Sequence, residues 1–220
     1  LIRSPLFDSY AAERRWISSY DAPISANGLV ETPEFKVPQS SAHRIRAFVR
    51  QMEDRKWSGA YGMLPWGNMG REVCGFSITA LAEWSWNLNG RSEREFAAAW
   101  ATREGRKDPE AVGDWADIMG PVEFDVYDSD FPTCWSWGKA VRMVETRERP
   151  VLGKGMFRYY PNAGDFDRKI AECERARGIA GKAGEAHLAA ESRVVRSYAD
   201  LAKQVYLAAE MVSARDLASP

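Results

Sequence analysis

The chain has 220 residues, of which 45% are hydrophobic and 28% charged, and its formal net charge is −1. This composition is typical of a globular protein, and the length suffices for one large domain or two small ones. A charge balance so close to zero gives no reason to expect nucleic acid or an anionic membrane surface as a partner.

Tryptophan is the compositional anomaly, with nine residues in the chain. Indole is favoured where apolar surface meets a polar ligand, so the enrichment favours carbohydrate or another flat ligand. The cysteines, Cys74, Cys134 and Cys173, are far apart and have no CxxC spacing and no nearby histidine. The sequence therefore predicts neither a zinc site nor a disulfide framework, and we expect no metal and no cofactor.

No apolar run of about 18 residues occurs, so no transmembrane helix is predicted. The chain begins at Leu1 rather than at Met, and no signal peptide is visible. We expect a mature product, an excised domain or a fragment, and the localisation is left open.

Residues 1–103 are predicted to alternate between helices and short strands. Helices are predicted at 8–20, 41–55 and 92–103, strands at 29–32, 59–64 and 77–86, and a strand remnant at 5–7. Such alternation with short connections is typical of parallel β/α units. Three parallel strands make a poor independent sheet, because both faces must be covered. The predicted fold class is therefore α/β: the last β/α units of a (β/α)8 (TIM) barrel, followed by an α-helical C-terminal domain.

The remaining elements suggest three regions. Ser92 and Glu95 form a capping-box pattern, and a helix over 108–120 is predicted to stop at Gly120 and Pro121. Beyond it, helices are predicted at about 165–180 and 185–214, the second with a narrow apolar seam of Val194, Tyr198, Leu201, Val205, Ala208 and Val212. We therefore expect barrel units over 1–120, an irregular aromatic-rich connector over 121–164 and a helical hairpin over 165–220.

The end of the third predicted strand carries the densest set of candidate ligand-binding side chains. Strand alternation places Glu83, Ser85 and Asn87 on one face, predicted to be the lumen of the barrel, and Trp84 and Trp86 on the other. Indole can stack on a sugar ring, and an amide can bond its hydroxyls. Active sites of such barrels lie at the carboxyl ends of strands. The alternative is that the two tryptophans are simply core residues.

Further polar and aromatic side chains are predicted to line the neighbouring strand ends, namely Glu31, Trp66, Asn68 and Glu72. Two carboxylates that flank a sugar can act as acid and base, and we take Glu31 and Glu83 as the catalytic candidates. The substrate-binding candidates are Trp66, Asn68, Glu72, Trp84, Trp86 and Asn87. The alternatives are a buried carboxylate that holds neighbouring loops through hydrogen bonds for Glu83, a strand-end salt bridge for Glu31, and a helix-start or surface position for Glu72. Asp125, Asp128 and Asp130 lack the glycine and distal glutamate of a calcium loop, and a solvated loop is expected there.

Segments 62–68 and 82–87, with Glu72 between them and an aromatic-rich helix after them, resemble the last two β/α units of hexosaminidase-like glycoside hydrolases, in particular the O-GlcNAcase type. The resemblance covers about residues 59–103. It implies that Asn87 helps to hold the sugar and that Asn68 corresponds to the family's strand-7 Asn, although Asn-Met replaces Asn-Pro. It also implies hydrolysis assisted by the substrate's acetamido group, without metal or cofactor. The family's adjacent acidic pair lies on an earlier strand and has no counterpart in residues 1–60.

Three hypotheses follow. The first is the C-terminal portion of a glycoside hydrolase, which would form one wall of a sugar site and would need the rest of its barrel from the same or a partner chain. The second is a non-catalytic carbohydrate-binding or protein-interaction module, whose long C-terminal helix would dock the partner. The third is an unrelated barrel enzyme that uses Glu31 and Glu83.

Overall fold

The structure is a computed structural model that describes residues 4–19, 42–60, 69–129 and 134–216. Contacts divide the chain into two compact units, Leu1–Pro121 (unit 1) and Val122–Pro220 (unit 2). Within the described residues, none of the helices combines the length and the apolar character needed to cross a membrane.

The described residues of unit 1 are mainly helical. Its elements are α1 (Leu6–Ala12), β1 (Ser18–Ser19), α2 (Ala42–Asp54), β2 (Gly59–Ala60), α3 (Met69–Trp86), α4 (Glu93–Arg103) and the first part of α5 (Pro109–Asp128). Among the described residues the sheet consists of two-residue strands: β1 pairs in parallel with β2, with Ser18 opposite Gly59. The predicted (β/α)8 barrel fold is therefore wrong for this part of the chain, which is helical.

The largest correction concerns residues 77–86, which are predicted as a strand but form the C-terminal half of α3. The buried side chains Phe76, Ala80, Trp84 and Leu88 recur every four residues, which is the spacing of one helix face. Residues 83–87 also happen to alternate between polar and aromatic side chains. Over so few residues the two periods cannot be distinguished, whereas the 18-residue length of α3 is typical of a helix.

The other predicted strands also differ from the elements that the structure contains. The remnant at 5–7 is wrong, because Pro5 precedes α1 and residues 6 and 7 begin it. That helix ends at Ala12, well short of the predicted residue 20. Of the strand predicted at 59–64, Gly59–Ala60 is a strand. Residues 61–64 and the strand predicted at 29–32 lie outside the described residues.

Helices α2, α3 and α4 pack together around aromatic side chains. Phe48 and Met52 of α2 are buried with Ile17 and Trp57. Phe76 of α3 makes an edge-to-face contact with Phe96 of α4, at 5.3 Å between ring centroids. Aromatic pairs of this geometry stabilise a core beyond the area they bury.

The capping box at the start of α4 is confirmed. The Glu95 backbone N–H donates to Ser92 Oγ at 3.2 Å, and the Ser92 backbone N–H donates to Glu95 Oε2 at 2.8 Å. Each side chain therefore satisfies a backbone amide that the first turn of a helix leaves without an intrahelical acceptor.

We expect Ser92→Ala to lower the free energy of unfolding by about 1 kcal/mol, because the Glu95 amide loses its acceptor. The change is measured by urea denaturation of the full chain. Ser92→Asn is the control, since Asn caps helices as well as Ser does. Equal losses of stability in Ser92→Ala and Ser92→Asn would show that the missing cap is not the cause of the loss.

Helix α5 corrects the predicted stop at Gly120 and Pro121, because it continues through Pro121 to Asp128. Proline inside a helix removes one backbone hydrogen bond and is costly. However, the buried residues of α5 continue past it at alternating steps of three and four: Val112, Trp115, Met119, Val122 and Val126. Burial of this continuous stripe favours the helix, since tertiary packing supplies most helical stability.

Unit 2 consists of the end of α5, α6 (Cys134–Glu145), a 3-10 turn (Gly155–Phe157), α7 (Gly164–Lys182) and α8 (Ala186–Asp216). Helices are thus present within 121–164, where an irregular connector is predicted. The predicted helices at 165–180 and 185–214 are confirmed as α7 and α8. They are joined by a Schellman turn: Gly184 has φ +77°, and the Glu185 amide donates to the Ala180 carbonyl at 2.8 Å.

The apolar seam of α8 has the predicted spacing but is displaced by one residue. Its fully buried members are Val195, Ala199, Ala202 and Ala209, whereas Val194 of the predicted seam is exposed. Ala202 and Ala209 belong to a core cluster that includes Ala140 and Met143 of α6. Helix α7, which packs along α8, itself buries Cys173, Ala176 and Ala180.

Candidate functional site

Helix α3 brings together three of the predicted site residues. Glu83, Trp86 and Asn87 are spaced by three and four positions, so they are neighbours on one helical face. On the predicted strand, Trp86 would lie on the opposite face from the other two. Trp86 is 92% exposed, an unusual position for a residue that is highly buried on average.

Trp84 lies beneath this face and is only 1% exposed. Its ring packs on Phe96 at 5.0 Å between centroids, and the Arg46 guanidinium lies 5.7 Å from its centroid. Its Nε1 donates to the Arg91 carbonyl oxygen at 3.2 Å. The interpretation of Trp84 as a core residue, left open by the sequence, is the one that fits this burial.

Arg91 follows α3 in the chain, and its side chain contacts that helix. Its Nη1 lies 2.8 Å from Glu83 Oε1. Asn87 holds the intervening turn, because its carbonyl accepts from the Gly90 amide at 3.1 Å and its Oδ1 accepts from the Asn89 amide at 3.2 Å. We call Glu83, Trp86, Asn87 and Arg91 the α3-end surface.

The α3-end surface offers an apolar ring face, an amide and an ion pair on a firm base. These groups suit the stacking and hydrogen bonding of a flat polar ligand. The carboxylate of Glu83 accepts a hydrogen bond from Arg91 Nη1 at 2.8 Å.

The other predicted site residues are Glu31, Trp66, Asn68 and Glu72. Glu31, Trp66 and Asn68 lie outside the described residues, and Glu72 lies on α3 in a stretch whose side chains are not described. The predicted pairing of Glu83 with Glu31 is therefore neither confirmed nor excluded.

His43 links two helices of unit 1. Its Nδ1 lies 2.9 Å from Glu93 Oε2, which joins α2 to the first turn of α4. Arg46 lies 4.0 Å from the other carboxylate oxygen. The Glu93 carboxylate also lies at a helix N-terminus, where negative charge is favourable.

Sequence reasoning missed a cluster of buried charged residues in unit 2. Glu123 of α5 has no accessible surface, and within the described residues neither of its carboxylate oxygens has a hydrogen-bond partner. Burial, together with the neighbouring Glu191 carboxylate, raises the pKa of Glu123 well above its usual range. Lys169 of α7 is 1% exposed and forms an ion pair with Asp125.

The burial of Glu123 and Lys169 is indicated by their spacing in the sequence. Glu123 lies four residues after Met119, and Lys169 lies between Phe166 and Cys173 at steps of three and four. Both charged residues therefore occupy positions on an apolar stripe.

The acidic residues of α5 do not form the expected solvated loop. Asp125 pairs with Lys169, and the buried Asp128 accepts a hydrogen bond from the Tyr159 hydroxyl. Asp130 lies outside the described residues. Across the described part of the chain, side chains of His, Cys, Asp and Glu do not come together in threes that could hold a metal ion.

Comparison of the chain with known protein families, curated proteins and solved structures found no match. The geometry of the chain itself must therefore carry any functional argument.

Proposed function

We propose that the chain is a non-catalytic binding module whose α3-end surface takes a saccharide, with Trp86 as the stacking platform. The observation that carries the proposal is the exposure of Trp86 beside the amide of Asn87 and the charged pair of Glu83 and Arg91. A sugar ring presents C–H groups to an indole face and hydroxyls to polar neighbours, so this combination matches its chemistry.

The base beneath Trp86 supports the proposal. Trp84 and the Arg91 turn fix the end of α3, so the indole projects from an ordered support. A ligand that binds to a preorganised group loses less affinity to the ordering of that group.

Catalysis by this surface is not part of the proposal. Glycoside hydrolysis needs two carboxyl groups on opposite sides of the scissile bond, and the hydrolase assignment depended on a barrel fold that the structure contradicts. The α3-end surface has one carboxylate, Glu83, and Arg91 engages it.

A protein-interaction module is the second candidate. Leu207 and Met211 lie one turn apart on α8 and are both exposed. Apolar side chains at this spacing are typical of a helix that docks in a groove.

The test is titration of the full chain with N-acetylglucosamine oligosaccharides, the ligand class that the sequence resemblance suggests, followed by calorimetry and by the indole signals in NMR. We expect Trp86→Ala to weaken binding about tenfold or more, which corresponds to about 1.4 kcal/mol. Trp86→Phe should retain part of the affinity, because it keeps an aromatic face.

Trp16→Ala is the matched control, since Trp16 is 76% exposed and is not part of the α3-end surface. The saccharide affinity of Trp16→Ala should equal that of the parent chain. Absence of saccharide binding, or an equal loss in the Trp16 and Trp86 variants, would rule out the proposal. Binding of a partner protein that is lost in Leu207→Asp but kept in Trp86→Ala would support the second candidate instead.

A further inference from the structure

The turn between α3 and α4 contains an asparagine that is directly followed by a glycine. Asn89 and Gly90 are both exposed. The side-chain amide of an asparagine can be attacked by the backbone nitrogen of the next residue, a reaction that makes asparagine one of the thermolabile residues. Glycine hinders this attack least, because it has no Cβ. The pair therefore combines a reactive side chain with an accessible nucleophile.

The side chain of Asn89 is not held away from the attacking nitrogen. Its backbone N–H donates to Asn87 Oδ1 at 3.2 Å, whereas its side-chain amide has no hydrogen-bond partner among the described residues. Gly90 N donates to the Asn87 carbonyl at 3.1 Å. That bond lies in an exposed turn, where water replaces it at small net cost. The attack therefore requires the opening of one turn hydrogen bond and no unfolding of a helix.

The other two asparagines of the described residues lack this combination. Asn87 uses its Oδ1 to accept from the Asn89 amide, and the next residue is the buried Leu88. Asn162 uses its Nδ2 to donate to Asp165 Oδ2 at 3.4 Å, and the next residue is Ala163. In both cases the side chain has a partner and the following residue carries a Cβ.

We propose that Asn89 is a site of spontaneous deamidation in the folded protein. Gly90 N gives up its proton and forms a bond to Asn89 Cγ, the bond from Cγ to Nδ2 breaks, and this nitrogen leaves as ammonia. Water then opens the cyclic imide. Opening at Cγ gives aspartate, and opening at the backbone carbonyl of residue 89 gives isoaspartate, in which the main chain runs through Cγ. Either product adds a negative charge close to Arg91.

The modification alters a turn on which the core of unit 1 depends. Ring formation removes the hydrogen that Gly90 N donates to the Asn87 carbonyl, and isoaspartate lengthens the main chain before Arg91. The Arg91 carbonyl is the acceptor for Trp84 Nε1, at 3.2 Å. We therefore expect conversion to loosen this contact. The proposal concerns the main chain of the turn, so it does not depend on saccharide binding.

The test is incubation of the folded full chain at mildly alkaline pH, followed by proteolysis and mass spectrometry. We expect the replacement of NH2 by OH at Asn89, and fragment ions distinguish this position from Asn87 on the same peptide. Asn87 and Asn162 should remain intact over the time in which Asn89 converts. The other Asn-Gly pair of the chain, Asn27-Gly28, lies outside the described residues and is separated from Asn89 by the proteolysis.

Two variants identify the reacting groups. Gly90→Ala should slow the conversion about tenfold or more, because a methyl group obstructs the attacking nitrogen. Its Cβ would lie 3.1 Å from the Asn87 carbonyl oxygen, so Asn89→Gln serves as the second variant. It leaves Gly90 unchanged, and its longer side chain should abolish the mass change at position 89.

Exchange of the Trp84 indole proton gives a readout on the turn itself. Its rate should rise with the fraction of isoaspartate in the parent chain and stay constant in Asn89→Gln treated in the same way. The proposal is overturned if Asn89 stays intact in the folded chain after the chain unfolded in urea has been converted there. It is also overturned if Asn87 or Asn162 converts as fast as Asn89.

Discussion

Replacing Trp84 by alanine is expected to lower the free energy of unfolding by about 3–5 kcal/mol. The indole is almost fully buried between α3 and α4, where it packs on Phe96. Its removal leaves a cavity and also deprives the Arg91 carbonyl of the hydrogen bond from Nε1. Urea denaturation followed by far-ultraviolet circular dichroism measures the loss.

The chain provides its own control two residues further on. Trp86→Ala removes the same side chain from a position that is 92% exposed, so we expect a change within about 0.5 kcal/mol. On a strand, the two tryptophans would share one face and the two losses would be similar. Equal destabilisation by both substitutions would therefore contradict the helix and favour the strand.

Breaking the buried ion pair of unit 2 should have an effect of similar size. Asp125→Ala leaves the Lys169 ammonium buried beside the Tyr160 ring without its carboxylate partner. Removal of one member of a buried pair typically costs about 3–5 kcal/mol, because the other charge loses compensation. Urea denaturation of the full chain, read through the transition of unit 2, checks the value.

The double variant Asp125→Ala/Lys169→Met separates this cause from a simple loss of packing. Methionine keeps most of the volume of the lysine stem and carries no charge, so the double variant should recover most of the stability. If it is as unstable as Asp125→Ala alone, the uncompensated ammonium is not the cause.

The helices with end signals in their own sequence could be predicted. Ser92 and Glu95 indicate the start of α4, and Gly184 indicates the turn between α7 and α8. These signals are local, because a cap or a positive φ depends on a few consecutive residues. Which residues of α8 form the buried seam depends on where α7 packs against it. The spacing of the apolar residues in α8 alone does not determine this position.

The barrel prediction failed at α3 for a physical reason. Residues 76–82 are mostly apolar or small, and such a run suits a buried strand and a buried helix equally. The alternation of Glu83, Trp84 and Ser85 then favoured the strand. Burial of Ala80 and Trp84 on one stripe, four residues apart, resolves the ambiguity.

The candidate site was predictable in its residues but not in its arrangement. Glu83, Trp86 and Asn87 stand out by type, yet only the helical period places all three on one face. Glu123 and Lys169 were missed because charged residues in a helix are ordinarily taken as its solvated side. Whether such a residue is buried depends on what packs against that stripe, as α8 packs against α7 in unit 2.

The most direct measurement is hydrogen exchange of the two indole N–H groups at the end of α3, with the signals assigned from Trp84→Ala and Trp86→Ala. The Trp84 Nε1 proton, buried and bonded to the Arg91 carbonyl, should exchange slowly, whereas the exposed Trp86 proton should exchange at the rate of free indole. Protection of both protons, or of Trp86 alone, would contradict the helix that places Trp84 in the core and Trp86 at the surface.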